Sequence, residues 1–363
     1  MVASSTVTCV LLACVLLGLW AKDLSPRTAL YKLVRRIFAV DLAPPRPLTD
    51  GPFATSSAPA HRPLLLSLQT YEGSGQAVHP DVAFIPEGFG AGRWRYWMAL
   101  TPYPHARERY ENPSVFASHD GLNWVVPCQN PIVAAPTSPR DHLSDVDLLF
   151  VDGRLRLYFR ESVYTREPPE HRIHVMESAD GVQWTPPRLV LRSTRLLLSP
   201  SVVRDGDGFV MWEVSENTIW RRESTDGFAW SDPEPTRVSG LVTGQEPWHL
   251  DVTVASDKLH LLLNSVGVDG HRLHYGCSRD GGRTWTVHPY LLERAYGFET
   301  AQHYRATMVP HPSDRRIHQM WYSARSEAMV WSIAYLHLEE RADGMVPCSI
   351  VPGVSKALTG ERA

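Results

Sequence analysis

The chain has 363 residues, 43% hydrophobic and 21% charged, which is enough apolar material for a sizeable core and excludes wholesale disorder. Its 36 basic and 39 acidic residues give a formal charge of −3, so no basic footprint exists and no nucleic-acid partner is expected. Five cysteines, an odd number with no CxxC or Cys/His ligand spacing, point neither to a disulfide scaffold nor to a zinc site.

Residues 7–20 (VTCVLLACVLLGLW) form an apolar run that stops at Lys22 and Asp23. The run is short for a membrane span, which takes roughly 20 residues, and suits the hydrophobic part of a signal peptide, although no basic residue precedes it. LLAC (11–14) loosely resembles a bacterial lipobox, in which Cys14 would carry the lipid. Residues 1–22 are therefore expected to be a signal peptide, lipoprotein signal or anchor. The protein would be exported, with membrane attachment through its N-terminus in the anchored case. Residues 23–63 read as a Pro-rich linker with one short helix, marked by Leu30, Leu33, Val34 and Phe38 at helical spacing.

From residue 64 a repeat takes over. SHDGLNW (118–124), SADGVQW (178–184), STDGFAW (224–230) and SRDGGRTW (278–285) share one pattern. Asp-Gly is a tight-turn pair, so each copy predicts a hairpin corner with its Trp packed beneath. An alternating strand precedes each corner, at 112–117, 172–177, 218–223 and 272–277, and a fifth copy without a corner is predicted at 329–336. Upstream of these lie strand pairs beginning at Asp81, Asp147, Ser201, Asp251 and Arg305. Five such units predict an all-β fold, a five-bladed β-propeller over residues 64–340 with a short N-terminal apolar and helical extension and a C-terminal tail at 341–363.

Aligning the inner strands brings Asp81, Asp147, Ser201, Asp251 and Arg305 to one position. Two residues earlier stand His79, Asp145, Ser199, His249 and His303. The two-residue period of a strand predicts that both sets point alike at one rim. The same rim receives the ends of the second strands, including Arg160, Glu213 and Glu216, and the long first-blade loop with Glu111. Such a gathering of carboxylates suits glycoside cleavage, where one carboxylate activates water and a protonated carboxyl serves the leaving oxygen. Trp97, Trp212 and Trp321 lie within strands and read as core, whereas Trp248 is the better sugar platform.

With these motifs, HPDVAF (79–84), SDVDLLFVDGRLRLYF (144–159) and SPSVVRDGDGFVMWE (199–213), the chain resembles the five-bladed propeller glycosidases, the superfamily of family 43 arabinanases and xylosidases and of invertases and levansucrases. The resemblance implies Asp81 as base, Asp147, with Asp145 next best, as modulator of the acid, and an acid opening the third blade. That third-blade position holds Ser199 or Ser201, so Glu213 is the expected substitute, with Glu111 and Glu216 as alternatives. His79, Asp145, Arg160, Trp248, His249, Asp251, His303 and Arg305 are the expected substrate-binding residues; for Arg305 the plain alternative is a salt bridge to Asp81 or Asp251. No cofactor is required, and the resemblance implies a calcium near His303. The expected activity is inverting cleavage of a poly- or oligosaccharide by a monomer. A non-catalytic glycan-binding propeller and a sialidase, whose Asp-box SRDGGRTW matches in full, are the alternatives.

Overall fold

A computed structural model describes residues 61–350 apart from 256, 257, 268 and 343. The apolar run, most of the linker and its helix lie outside the described residues.

Five sheets follow one another along the chain, antiparallel except where Arg237–Ser239 pairs in parallel with Thr284–Tyr290. The inner strands are Ala77–Phe89, His142–Val151, Leu198–Asp205, Gln245–Ala255 and Gln302–Pro310. Each packs on the inner strands of its two neighbours, and that of blade five returns to blade one, so the ring closes at five blades. The second strands are Trp94–Pro102, Arg154–Val163, Gly208–Ser215, Lys258–Gly267 and Ile317–Arg325. Both faces of a blade are covered, so both must be apolar. Blade one shows this. Its second strand turns Trp97 and Ala99 toward blade two and Tyr96, Met98 and Leu100 toward blade five.

The third strand of blade five, Trp331–Arg341, pairs with Leu64–Leu65, so chain preceding blade one clasps the last blade. It also pairs with Gly344–Cys348, which carries the propeller past the predicted limit at residue 340. Cys128, Cys277 and Cys348 are free thiols.

The Asp-Gly corners latch neighbouring blades. In the first, Ser118 Oγ accepts the Gly121 N–H at 2.9 Å, while Asp120 Oδ1 accepts the Leu122 and Asn123 N–H groups at 2.9 and 2.8 Å. Gly121 takes φ +76, and a Cβ there would lie 2.9 Å from Trp321 Cζ2. The ring directly beneath the glycine comes from the neighbouring blade, and the corner's own Trp124, as the sequence pattern predicted, packs beside it and donates Nε1 to the Gly121 carbonyl at 3.1 Å. Trp321 Nε1 donates to the Gly121 carbonyl at 2.9 Å, Trp212 Nε1 to that of Gly282 at 3.1 Å, and Tyr158 Oη to that of Gly227 at 2.9 Å. Trp97 packs under Gly181. Trp97, Trp212 and Trp321 are fully buried, as expected of core.

Candidate active site

Every inner strand slips register near its start, between Val78 and Asp81, Ser144 and Asp147, Leu198 and Ser201, Pro247 and His249, and His303 and Ala306. His79, Asp145 and Ser199 take left-handed backbone there, with φ of 55, 49 and 47. A bulge inserts a residue and re-aims side chains, and sites of chemistry commonly carry one. Bulges near the strand starts, with that of blade four one residue earlier at Trp248, accompany a division of the polar residues into two tiers.

The upper tier joins His79, Asp145, Ser199, His249 and Tyr304. Asp145 Oδ1 lies 3.1 Å from His79 Nε2 and 3.3 Å from His249 Nδ1, and Asp145 Oδ2 accepts from Arg160 Nε at 2.6 Å. Arg160 is itself held by Ser144 and Ser162 at 2.5 Å each. Burial opposes ionisation of Asp145, but Arg160 foremost, then His79 and His249, hold its carboxyl far below the usual range. Burial pushes His79 down to about 4 and His249 well below its ordinary value, so both imidazoles are neutral at pH 7. His79 Nδ1 pairs with the Thr101 hydroxyl at 2.9 Å and His249 Nδ1 with that of Ser199 at 2.6 Å. Such outer partners fix ring and tautomer, as they do for metal-ligating histidines. His79 Nε2, His249 Nε2 and Asp145 Oδ1 are left buried without a hydrogen bond. These three residues each offer a ligand atom within 4.8 Å of the others, and two neutral imidazoles with one carboxylate suit a zinc-like divalent cation.

The lower tier is an axle. Arg305, 1% exposed, sets Nη2 at 3.7 Å from Asp81, 3.9 Å from Asp147 and 3.7 Å from Asp251, and donates Nη1 to the Val146 carbonyl. Asp81 accepts the Leu148 N–H of blade two at 2.7 Å and the Thr307 hydroxyl of blade five at 3.1 Å. Asp147 accepts the Val202 N–H of blade three at 3.2 Å, and Ser201 that of Val252 in blade four at 2.9 Å. Each contact ties one inner strand to the next.

The predicted site residues therefore separate. His79, Asp145, Arg160 and His249 meet as one cluster. Asp81, Asp147, Asp251 and Arg305 lie in the axle, where Arg305 bridges Asp81 and Asp251 as its plain alternative required. Glu111 stands beside the cluster, its Oε1 3.8 Å from His79 Nδ1. Trp248 sits at the mouth, Nε1 3.4 Å from Tyr304 Oη and its ring T-stacked on His249. Three expectations are corrected. Glu213 is buried between strands and accepts from Arg222 Nε at 2.9 Å, because alternation along its strand turns it away from the funnel. Glu216 lies exposed in the turn after that strand, with φ 51. His303 points to Glu299 at 3.2 Å, because the fifth bulge gives its place to Tyr304, 4.4 Å from His249 between ring centroids. Tyr304, Thr101 and Ser199 as an outer partner were not singled out from sequence; only a marker of the bulge would have revealed Tyr304.

Fold and site together define a five-bladed β-propeller with a histidine–carboxylate cluster at the mouth of its axis. No family model matches the chain. Its sequence is 29% identical, over 314 residues, to the A type blood N-acetyl-α-D-galactosamine deacetylase of Flavonifractor plautii, with 69% of this chain and 40% of that protein covered. The chain thus spans well under half the length of that relative. Among solved structures, an N-acetylgalactosamine deacetylase from F. plautii in complex with blood group B trisaccharide is similar with a TM-score of 0.63 at 24% identity, covering 78% of this chain and 92% of that one. An exo-1,5-α-L-arabinanase from a bovine ruminal metagenomic library is similar with 0.53 at 12%, covering 75% and 96%. The Bombyx mori GH32 β-fructofuranosidase is similar with 0.57 at 14%, covering 82% and 67%. The five-bladed fold implied by the resemblance to arabinanases and invertases is therefore borne out.

Proposed function

We propose that the protein is a carbohydrate-acting hydrolase that removes the acetyl group of an N-acetylated sugar, with His79, Asp145 and His249 holding a divalent cation. The observation that carries this is the upper tier itself, three side chains that each offer a ligand atom within 4.8 Å of the others and each keep a buried polar atom with no hydrogen bond, fixed in place by Thr101, Arg160 and Ser199. The similarity to a deacetylase supports it independently. When bound, such a cation polarises an amide carbonyl and acidifies water. The remaining work falls to the chain. Glu111, next to His79, is the carboxylate placed to move a proton between water and the leaving nitrogen. Burial raises the Tyr304 phenol, which therefore stays protonated and can donate to the carbonyl oxygen. Trp248 presents its ring at the mouth for a sugar face.

Inverting glycosidic cleavage is the second reading, favoured by Asp145 and Glu111 both flanking His79. It is the weaker one, because Arg160 locks Asp145 as a carboxylate and the third blade offers only the Ser199 hydroxyl, already bonded to His249. Incubation with N-acetylated and plain oligosaccharides, scored for acetate and for new reducing ends, decides. Acetate without reducing ends, lost on chelation and in Asp145→Asn, is the expected result. Reducing ends without acetate would establish the glycosidase, and binding without either product the lectin.

A further inference from the structure

Four of the five blade seams carry the aromatic latch. Trp321 sits under the corner of blade one, Trp97 under that of blade two, Tyr158 under that of blade three and Trp212 under that of blade four. After the third strand of blade five the sequence reads Asp343-Gly344, and a Cβ on Gly344 would meet the His288 imidazole of blade four at 3.4 Å, so this seam carries no second-strand Trp or Tyr under its corner among the described residues. His260 stands in blade four at the register position that two of the latch rings, Trp97 and Trp321, hold in theirs. Trp97 and Trp321 each follow the residue paired with a matching inner-strand position, Tyr96 opposite Phe84 and Met320 opposite Met308. In blade four Leu259 pairs with Val254, and the next residue is His260.

His260 meets His318 of blade five, with ring centroids 5.2 Å apart, and Glu340 at the end of the third strand of that blade. Each of the three offers a ligand atom within 4.8 Å of the others. The second strands begin, and the third strands end, on the face opposite the funnel, so this cluster is separate from the site described above. His260 and His318 are 0% and 1% exposed. Burial lowers both pKa values, that of His260 to about 4, so both rings are neutral and carry a free lone pair. Tyr275 Oη lies 3.0 Å from His260 Nδ1 and fixes that ring. His260 Nε2 and both nitrogens of His318 have no hydrogen-bond partner, an arrangement native interiors seldom leave unanswered. Glu340 Oε1 pairs with Lys258 Nζ at 2.5 Å, which orients the carboxylate at the seam.

We infer that His260, His318 and Glu340 form a second divalent-metal site, a structural zinc-type clamp that joins blades four and five. The test uses the full chain, stripped with chelator and re-equilibrated with zinc chloride, and compares wild type with Glu340→Gln and His318→Gln by elemental analysis and by thermal unfolding with and without zinc. Both variants should hold one equivalent fewer than wild type, whatever the funnel binds, and should lose the part of the zinc-induced rise in Tm that this site supplies. Glu340 is partly exposed at a strand end, so its variant keeps the test open where His318→Gln does not fold. Zinc content equal to wild type in Glu340→Gln, or no equivalent lost in either folded variant, would overturn the inference.

Discussion

Replacing Asp251 with Asn should stabilise the protein at neutral pH, although it removes a buried charge with an arginine beside it. Asp251, Asp81 and Asp147 share the single guanidinium of Arg305 at 3.7 to 3.9 Å. Three carboxylates cannot all ionise around one cation in a desolvated axle. Burial first, and the Asp81 charge second, push Asp251 up to about 7, and Asp147 is raised well above its ordinary value for the same reasons. A carboxyl whose folded pKa exceeds its unfolded value near 3.9 stabilises fully below that unfolded value and loses the contribution as pH rises through the folded one. Three pH units at about 1.4 kcal/mol each give roughly 4 kcal/mol lost between pH 4 and pH 8. Asn resembles the protonated form and has no proton to lose. Urea unfolding of both proteins from pH 5 to pH 8 reads the effect, since their difference cancels every titrating group that does not face Asp251 and keeps only Asp251 and the carboxylates coupled to it around Arg305. The variant should already lead by about 1 to 2 kcal/mol at pH 5, one unit above the unfolded value. The variant should lead by a few kcal/mol at pH 8. Parallel curves, or a variant less stable than wild type at pH 8, would refute the reasoning.

Gly181→Ala should cost about 2 to 5 kcal/mol in urea unfolding, from left-handed strain plus overlap of the new Cβ with the Trp97 ring, since Gly181 has φ +78. Gly153→Ala, with φ +72 and nothing within 4 Å, should lose only the strain, and equal losses at the two sites would dismiss the latch. Glu111→Gln should lower kcat by roughly 10²-fold or more while cation binding is unchanged; a loss below about threefold would remove Glu111 from proton transfer. Glu213→Gln keeps an acceptor for Arg222 and lies outside the funnel, so turnover should stay within about twofold of wild type. A collapse in turnover in that folded variant would return Glu213 to the chemistry.

Strand number, corner positions and the closed ring were legible because they rest on local chemistry. Asp-Gly turns need a positive φ, and strands packed on both faces repeat apolar residues, so Asp120, Asp180, Asp226 and Asp280 and the strands before them carry their own signature. Polar residues at the starts of the inner strands were legible too, and His79, Asp145, His249 and Arg305 all belong to the axis. Their division into two tiers was not. A two-residue period predicts that His79 and Asp81 act together, but the tertiary structure bulges the first two inner strands between those positions, lifting His79 and Asp145 to the mouth and leaving Asp81 and Asp147 as staples around Arg305. The same one-residue slip exchanges His303 for Tyr304. A bulge is set by the fit of five strands around one axis, and no single strand encodes that fit in its own residues.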